Sequence, residues 1–494
     1  MDLVIGEPLY IVGRDCGYCH GKKDGPRRSY SLQSYEEAYR AGTEPFDEYP
    51  NSSTICCHVY SCTPEIYELM MNRGFRRSGS FLYRPDLLRS CCRLYTIRSN
   101  TNLLKVSKEH RHNVNRFVRF ITGNESNNKN RPFDLKSALL SAETRTSSFR
   151  TEIAPANFSP EKYALYKKYQ TTIHNDDPNE VSEKGFKRFL CQSFFPEQYS
   201  GSRSPEYWRK LNRWRELKII DIDGEQVEGP VHECYYIEDK LVALGILDIL
   251  PNSVSSVYFI WDPDYAHLGL GTLSALRELV LTEQLGKEYY YLGYYADDCH
   301  KMKYKAKFGG EILDLTTLTF YRLNELKKVT DCSGLIALSE LESTSTEPAV
   351  PSTIKSNPLS HMINVAENIY GVQGGSFSAS RKVAQEISGT LGLSEFGDQN
   401  DEKLWRRVEE SVVHALPLVS PGLIPLWQIM DWVANGAIHD IFPYCLVIDH
   451  TKSQHGQLFD FSNKKSADFR KSFIDLLRMF GAELFENAKI VLLM

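Results

Sequence analysis

The chain has 494 residues, 42% of them hydrophobic and 12% aromatic, which is enough for roughly two to four globular domains. No apolar run approaches the roughly 18 residues of a membrane span, and the first residues lack the basic region of a secretory signal. The net charge of −5 excludes a general attraction to nucleic acid, so such a partner would need a local basic patch.

The first chemical signal along the chain is a set of cysteines. Without a secretory signal we expect a reducing compartment, where closely spaced cysteines bind metal more often than they form disulfides. Cys16 and Cys19 form a CxxC pair, and Cys91 and Cys92 are adjacent. These four thiolates would suit tetrahedral zinc or an iron–sulfur cluster. A redox-active pair and inert, buried cysteines are alternatives, and the competing ligands are Cys56, Cys57, Cys62, His20 and His58.

An arginine pair lies between these cysteines. The stretch from Pro64 to Asn72 has the apolar spacing of a helix, and Gly74 is a typical residue after a helix end. Arg76 and Arg77 follow, before a predicted strand from Ser80 to Arg84. Such a pair is commonly a solvated edge, but two guanidinium groups can also bind a carboxylate or a phosphate through paired hydrogen bonds.

The middle of the chain is irregular at first and then regular. Residues 99–149 are polar and without a clear period, with a predicted flexible loop at 124–131. Ser159 and Ser204 each precede Pro-Glu and predict a helix start, and the second helix has a basic outer face. The residues from Glu233 to Leu250 predict a β-hairpin.

The stretch from Val254 to Lys307 carries the main structural signal. It predicts a buried strand to Trp261, a turn with Gly269 and Gly271, a helix, and a strand from Tyr289 to Tyr295. Backbone N–H groups at the start of such a helix stabilise a phosphate or a developing oxyanion. This unit resembles the centre of the GNAT-type acyltransferase fold, in which two splayed parallel strands admit an amine to a bound acyl donor.

The glycine turn departs from that fold in one place. Ala266 stands where the coenzyme A loop usually begins with Gln or Arg. A simple tight connection is an equal alternative, because glycine suits any turn with positive φ.

A run of lysines follows the second strand. Its members are Lys301, Lys303, Lys305 and Lys307, around Tyr304. A charge run is usually a solvated face, but in an acidic chain a concentrated patch is also a candidate phosphate-binding surface. The residues from Thr316 to Tyr321 predict a last strand before the pattern changes.

Several motifs, taken in order, resemble those of eukaryotic, fungal-type arginyl-tRNA–protein transferases. The first half has CGYC, RGFRRSG, YRPD and CCRLYTIR, and the second half has FPEQYSGSRSPEYW, YFIWDPDY and YLGYYADDCHKMKYK. The match runs from about Tyr10 to Tyr321. Phe75 and Arg93 replace residues common in the family, and residues 22–50 match poorly.

The resemblance implies an α/β (α+β) architecture with a GNAT-like acyltransferase domain. We therefore expect a Cys-rich metal-binding and acceptor-recognition region at 1–100, a polar linker at 101–155 and the transferase domain at 156–330. A linker at 331–360 and a mainly helical C-terminal extension at 361–494 complete the predicted organisation.

The resemblance also implies a reaction and its partners. Arginine would pass from arginyl-tRNA to the α-amine of proteins that begin with Asp, Glu or oxidised Cys, marking them for N-degron degradation. The implied partners are arginyl-tRNA, such acceptors and ubiquitin-ligase pathway components, in the cytoplasm and secondarily the nucleus, with no membrane. The cofactor would be zinc or an iron–sulfur cluster on the four cysteines, and no coenzyme A is expected.

Site roles follow from this reaction. Acidic acceptors need cations, and the arginyl group of the donor needs carboxylates. The predicted residues are Asp262, Asp264 and Tyr294 for catalysis, Arg76 and Arg77 for the acceptor, Asp262 and Glu278 for the donor arginine, Lys301, Lys303, Lys305 and Lys307 for tRNA, and Cys16, Cys19, Cys91 and Cys92 for metal. An ordinary turn role is equally open for each of the two aspartates.

Two other classes of function stay open. A GNAT-type acetyltransferase that uses acetyl-CoA would explain the central unit but not the thiolate set. A non-catalytic tRNA-binding adaptor would explain the lysine run but does not need a glycine-turned helix between two strands.

Overall fold

The architecture is taken from a computed structural model of the chain. The structure describes residues 2–13, 16–19, 52–123, 132–200, 203–297, 299, 302–326, 335–340, 362–370, 375–392, 412–414, 416–449, 456–463 and 467–494. The predicted loop at 124–131, Lys301 and His20 lie outside these residues.

The described residues form the following strands and helices, given in chain order. The strands are β1 (Leu3–Gly6), β2 (Leu9–Gly13), β3 (Ser52–Cys62), β4 (Arg76–Ser78), β5 (Phe81–Pro85), β6 (Tyr95–Asn100), β7 (Phe149–Pro155), β8 (Asp221–Ile222), β9 (Glu225–Gln226), β10 (Gly229–Ile237), β11 (Lys240–Ile249), β12 (Ser253–Trp261), β13 (Tyr289–Tyr295), β14 (Glu311–Asp314), β15 (Thr319–Arg322), β16 (Leu338–Glu340), β17 (Met362–Asn364), β18 (Val412–His414), β19 (Cys445–Ile448), β20 (Gln457–Leu458) and β21 (Ile490–Leu493). The α-helices are α1 (Pro64–Met71), α2 (Lys108–Thr122), α3 (Leu135–Arg145), α4 (Pro160–Tyr169), α5 (Glu183–Phe186), α6 (Glu197–Ser200), α7 (Pro205–Leu211), α8 (Leu270–Gln284), α9 (Leu323–Leu326), α10 (Ala366–Tyr370), α11 (Gly375–Leu391), α12 (Leu426–Ala434), α13 (Ala467–Phe480) and α14 (Ala482–Asn487).

One sheet contains the predicted central unit. Its strand order is β15-β14-β6-β13-β12-β11-β10-β7. Strands β12 and β13 are parallel, joined by helix α8, and the other neighbours are antiparallel. The predicted hairpin from Glu233 to Leu250 is confirmed as β10 and β11, whose turn has positive φ at Glu238 and Asp239. Because β11 is buried along almost its whole length, its sequence is a nearly continuous apolar run.

The parallel pair separates partway along its length. Ser253 to Ser255 pair with Tyr289 to Tyr291, and no further pairs of these two strands follow among the described residues. The register of β13 against β6 also shifts between Tyr291 and Tyr294, with Gly293 at φ +75°. The two strands therefore splay apart toward their carboxyl ends.

The second large sheet includes strands of the C-terminal extension, whose described residues are mainly helical, as predicted. Its strand order is β18-β2-β3-β1-β21-β19-β20, with β5 paired to β3 and β4 paired to β5. The last strand, β21, pairs in parallel with the first, β1, from Leu3 opposite Ile490 onward. The residues after 361 thus complete the sheet of the N-terminal region, and both ends of the chain share one core cluster.

The predicted polar linker at 101–155 differs from the structure. It contains α2, α3 and β7. Ser107 caps α2, and Gly123 follows the helix at φ +67°. The buried face of α2, which includes Val114, Phe117 and Ile121, packs in the core below α8. Among the described residues, no helix is long and apolar enough to cross a membrane.

Candidate functional site

A cavity of about 780 Å³ lies where β12 and β13 separate. We call it the splay cavity. Its walls come from both strands, the glycine turn with the start of α8, the arginine pair on β4, and the CxxC loop, and they include Ser255, Tyr258, Gly269, Gly271, Thr272, Tyr290, Gly293, Tyr294, Arg76, Arg77, Gly17, Tyr18, Tyr304 and Lys305. The splay cavity lies between the two strands where the sequence predicts the site, and its role as the site stays a prediction.

The amino end of α8 opens into the splay cavity. This helix has no side-chain cap, and the N–H groups of Thr272 and Leu273 donate to the carbonyl oxygen of Gly269, at 3.1 Å each. Of its first N–H groups, those of Leu270 and Gly271 are therefore the ones open to another partner. Gly269 precedes it at φ +64°, and a Cβ on Gly271 would meet no atom within 4 Å. Free backbone N–H groups facing an open space are suited to an oxyanion or a phosphate.

Arg76 is buried in the wall of the splay cavity with unused hydrogen-bond donors. Its Nη1 donates to the carbonyl oxygens of Phe75, at 2.6 Å, and Met71, at 3.3 Å. Its Nε and Nη2 have no hydrogen-bond partner among the described residues. The guanidinium lies over the rings of Tyr291 and Tyr294, with its central carbon 5.1 and 5.6 Å from their centroids. A buried donor without a partner costs about 1–3 kcal/mol, so this group is suited to a carboxylate ligand.

Arg77 has a different environment from Arg76. Its Nε and Nη2 donate to the two carboxylate oxygens of Asp248, at 2.7 and 2.6 Å, and both side chains are buried. Asp248 is 171 residues away along the chain. Because this paired interaction already uses the guanidinium, Arg77 links β4 to β11 and is not our candidate for acceptor binding.

The two predicted catalytic aspartates do not line the splay cavity. Lys168 donates to Asp262 at 2.5 Å and to Asp264 at 2.6 Å, and Lys240 lies 2.8 Å from the second oxygen of Asp262. Burial raises the pKa of Asp262, but the hydrogen bonds from the two lysines outweigh it, so the net pKa is lowered. Asp262 also accepts a hydrogen bond from the backbone N–H of Asp264, which is an ordinary turn role.

Glu278 lies behind the wall of the splay cavity. It is fully buried in α8, and the Tyr290 hydroxyl donates to its Oε2 at 2.6 Å. Its Oε1 has no hydrogen-bond partner among the described residues. Burial raises the pKa of Glu278 to about 8, although Tyr290 and Arg277 lower it. The carboxyl group therefore titrates slightly above neutral pH, and the Tyr290 side chain lies between it and the cavity.

The three members of the lysine run that the structure describes do not form one surface patch. Lys305 is half-buried, and its Nζ donates to the carbonyl oxygens of Leu292 and Tyr294, at 2.7 and 2.8 Å. Burial, with a smaller effect of the Arg76 charge, lowers the pKa of Lys305 to about 8. Lys303 and Lys307 are exposed, and Lys307 pairs with Glu109 at 2.7 Å. The structure thus separates Lys305, in the cavity wall, from its neighbours.

Tyr294 forms part of the wall, and its hydroxyl is already engaged. It donates to the carbonyl oxygen of Gly74 at 2.8 Å and lies 3.2 Å from that of Tyr83. Burial raises the pKa of Tyr294 well above its ordinary value. The side chain therefore joins β13 to the arginine loop, and we do not assign it an acid or base role.

The four predicted metal ligands are close together. The sulfur atoms of Cys16, Cys19, Cys91 and Cys92 all lie within 4.8 Å of one another, and those of Cys19 and Cys91 are 3.4 Å apart. At a Zn–S distance of about 2.3 Å, two thiolates on one ion are at most about 4.6 Å apart. The set is thus compact enough to hold a metal ion, and its loop also supplies Gly17 and Tyr18 to the splay cavity.

The competing cysteines lie elsewhere. Cys56, Cys57 and Cys62 are buried on β3. The Cys56 thiol donates to the carbonyl oxygen of Leu9 at 3.5 Å, and burial raises its pKa to about 12. His58, on the same strand, packs against the ring of Phe81.

The sequence did not indicate the aromatic residues at the edge of the splay cavity, which include Tyr169, Phe189 and Trp261. Two π-helical turns, Gln170–His174 and Lys187–Cys191, bring Ile173, His174 and Phe189 to its edge. Tyr169 contacts the ring of Trp261, with centroids 5.7 Å apart. A π-helical turn is rare and often occurs at functional sites, but it has no distinct spacing in a sequence. The density of aromatic residues between 158 and 194 was the available signal.

The chain is similar in sequence to known transferases. The family model described as "Arginine-tRNA-protein transferase, C terminus" matches residues 161–314, and the corresponding N-terminus model matches residues 14–112. The chain is 36% identical to arginyl-tRNA–protein transferase 1 of Saccharomyces cerevisiae, over 96% of this chain and 95% of that protein. It is 34% identical to arginyl-tRNA–protein transferase 2 of Arabidopsis thaliana, over 46% of this chain and 37% of that protein.

Two more distant similarities were found. An aspartate/glutamate leucyltransferase of Campylobacter jejuni is 26% identical over 51% of this chain and 80% of that protein. A solved structure of L-PGS from Bacillus licheniformis aligns with 41% of this chain and 47% of that chain, at 8% identity and a TM-score of 0.21. The latter similarity is too low to support a conclusion about this chain.

Proposed function

The chain belongs to the arginyl-tRNA–protein transferase family, and we propose that its reaction takes place in the splay cavity. The chain is an aminoacyltransferase, and it transfers arginine from arginyl-tRNA to the amino terminus of a protein. The parallel pair of β12 and β13, the intervening α8 and the splay support a GNAT-like fold for this half of the chain.

The reaction is the aminolysis of an ester. The acceptor α-amine forms a C–N bond to the arginyl carbonyl carbon, the ester C–O bond breaks, and the terminal hydroxyl of the tRNA leaves with a proton. The amine nitrogen loses one proton. Because the ester is already activated, positioning, one proton acceptor and stabilisation of the oxyanion are sufficient, without a covalent enzyme intermediate.

The observation that carries our proposal is the unpaired guanidinium edge of Arg76. An acceptor that begins with Asp or Glu would place its side-chain carboxylate on Nε and Nη2, which have no partner among the described residues. An oxidised Cys side chain would supply oxygens of the same charge. The name of the similar Campylobacter protein refers to aspartate and glutamate, which supports acidic acceptors for this chain as well.

The donor end would enter beside α8. The N–H groups of Leu270 and Gly271, at the start of α8, are our candidates for stabilising the oxyanion of the arginyl carbonyl. The described lining contains no carboxylate, so the aromatic faces of Tyr258, Trp261 and Tyr304 would hold the donor guanidinium by cation–π contacts. Glu278, behind Tyr290, has its pKa raised to about 8 by burial, so it would add the opposite charge only at alkaline pH.

Lys305 is our candidate for the proton acceptor. A neutral lysine has two N–H groups and one lone pair, and the carbonyl oxygens of Leu292 and Tyr294 account for the two N–H groups. The lone pair would then face the splay cavity, whose wall also contains Arg76. Binding of the acceptor carboxylate at Arg76 would bring the α-amine of the same residue toward Lys305.

The reactivity of Lys305 tests this role. Labelling by an amine-selective reagent, followed by mass spectrometry, should give an apparent pKa near 8 for Lys305, while Lys303 and Lys307 serve as internal controls. Lys305→Arg keeps the donors but has no neutral form at these pH values, so kcat should fall by about 100-fold or more. A labelling profile against pH for Lys305 that matches those of the two control lysines would contradict a proton-accepting role. Full activity of the Arg variant would contradict it as well.

The four cysteines would hold a single metal ion, which we propose is zinc. Zinc supplies a structural cross-link between the CxxC loop and the segment that contains Cys91 and Cys92. A [4Fe–4S] cluster would hold each thiolate on its own iron, and a [2Fe–2S] cluster would hold two pairs on separate irons, so both fit a wider set of sulfur atoms. The compact arrangement within 4.8 Å supports one ion.

The cellular context stays a prediction. Arginylated acceptors would be substrates for N-degron degradation, with ubiquitin-ligase components as downstream partners, in the cytoplasm and secondarily the nucleus.

Transfer of labelled arginine tests the proposed function. Matched peptides that begin with Asp, Glu or Ala would be incubated with labelled arginyl-tRNA, with labelled acetyl-CoA as a parallel donor. We expect label from arginyl-tRNA on the Asp and Glu peptides only. Label from acetyl-CoA alone would support an acetyltransferase, and equal labelling of the Ala peptide would remove Arg76 from the acceptor site.

A further inference from the structure

Helix α2 has an exposed basic face that no sequence motif indicated. The face consists of Lys105, just before the helix, and Lys108, Arg111, Arg116 and Arg119 within it, all exposed. Residues 105–120 contain two Lys, three Arg and one Glu, which gives this stretch a net charge of +4 in a chain whose total is −5. We call these five side chains the α2 face.

The α2 face is attached to the rim of the splay cavity. Asn113 donates to the carbonyl oxygens of Leu268 and Gly269, at 3.1 and 3.4 Å, and so binds α2 to the turn before α8. The ring of Phe120 contacts that of His267 in the same turn, with centroids 5.9 Å apart. A ligand that leaves the cavity over this turn therefore meets α2 first.

The end of the lysine run, at Lys307 and Phe308, also contacts α2. His110 stacks on Phe308, with ring centroids 4.9 Å apart. Lys307 pairs with Glu109, which is the one acidic residue of the α2 stretch. This pairing offsets the negative charge that would otherwise oppose an anionic ligand.

No carboxylate among the described residues forms an ion pair with a side chain of the α2 face. The basic side chains of α7 and of the 3₁₀ turn Asn212–Arg215 that follows it are a contrast, because three of them have acidic partners. Arg209 pairs with Glu206, Lys210 with Asp223 and Arg213 with Glu216. Unpaired positive charges concentrated on one helix are suited to a polyanion, whereas the α7 charges are already neutralised locally.

We propose that the α2 face binds the phosphate backbone of the acceptor stem of the donor tRNA. This inference rests on the proposed function, since the arginyl ester in the splay cavity is attached to the end of that stem. A helix of 15 residues is about 22 Å long at 1.5 Å per residue, which spans several successive phosphates of a duplex. Such contacts depend on backbone charge and shape, so binding would be largely independent of stem sequence.

Neutralisation of the α2 face tests this surface. The variant Lys108→Gln, Arg111→Gln, Arg119→Gln keeps good helix formers and leaves Arg116, which lies against the Gly269 turn, in place. The matched control, which we call the α7 control, is Arg209→Gln, Lys210→Gln, Arg213→Gln, on α7 and the 3₁₀ turn that follows it. Two donors are compared for each protein: full-length arginyl-tRNA and the arginyl ester of a CCA trinucleotide, which has no stem.

We expect the preference for full-length arginyl-tRNA over the short donor to fall by about tenfold or more in the α2 variant. The slope of log K against log salt for tRNA binding should become shallower by about 2 to 3, because each phosphate that is no longer neutralised changes the slope by roughly one. The α7 control should keep both values. An equal loss in the control, an unchanged slope, or an increased KM for the acceptor peptide alone would overturn the assignment, while no transfer from either donor by the native protein would instead refute the proposed function.

Discussion

Replacing Arg76 with Gln should lower kcat/KM for a peptide that begins with Asp by about 10- to 100-fold. A hydrogen bond to a charged group contributes about 1.5–3 kcal/mol, and about 1.4 kcal/mol corresponds to a factor of ten. The most informative value is the ratio of kcat/KM for an Asp peptide to that for the matched Asn peptide, which differs only in the charged oxygen. This ratio should be large in the native protein and close to one in the variant.

Thermal stability separates this role from a structural one. Nε and Nη2 of Arg76 have no partner among the described residues, so Arg76→Gln should change the unfolding temperature by only a few degrees. Arg98→Gln is the matched control, because Arg98 is also enclosed by aromatic rings, Tyr289 and Phe320, and pairs with Glu311. The control should keep the Asp/Asn ratio, and a native ratio in Arg76→Gln would exclude Arg76 from the acceptor site.

Replacing Cys91 and Cys92 together with Ser should abolish stoichiometric metal binding. The remaining pair, Cys16 and Cys19, would leave the ion with half of its ligands, so its binding free energy would no longer stabilise the fold. We expect metal content near zero by elemental analysis and a fall of several degrees in the unfolding temperature. The purified native protein should contain about one zinc and have no visible absorption.

The control for this experiment is Cys445→Ala. Cys445 is buried in β19, outside the metal set, and its removal should leave the metal content unchanged. Full retention of metal by the double Ser variant would show that other residues are the ligands. A brown native protein with iron and sulfide would instead support the iron–sulfur cluster.

The central unit could be predicted because its signals are local. Each of its elements is contained in one short stretch of sequence: the apolar strand β12, the glycine turn, helix α8 and strand β13. The CxxC and CC pairs were similarly visible, since zinc ligands occur in such short spacings. The resemblance in motif order then supplied the reaction, which the comparisons support.

Pairings between distant residues could not be predicted. Arg76 and Arg77 are adjacent in the sequence, but only the folded chain brings Asp248 to Arg77 and leaves Arg76 with free donors. Similarly, Lys305 is separated from the exposed lysines of its run because its side chain reaches the carbonyl oxygens of a bulged strand. The pairing of β21 with β1 joins the two ends of the chain, which no local period indicates.

The most direct test of the splay cavity as the reaction site is a structure with both substrates present. The donor would be a stable amide analogue, 3′-arginylamino-3′-deoxyadenosine, and the acceptor a short peptide that begins with Asp. We expect both molecules in the splay cavity, with the Asp carboxylate about 3 Å from Nε and Nη2 of Arg76 and the donor carbonyl at the amino end of α8. Either molecule bound elsewhere, with the splay cavity empty, would contradict the account.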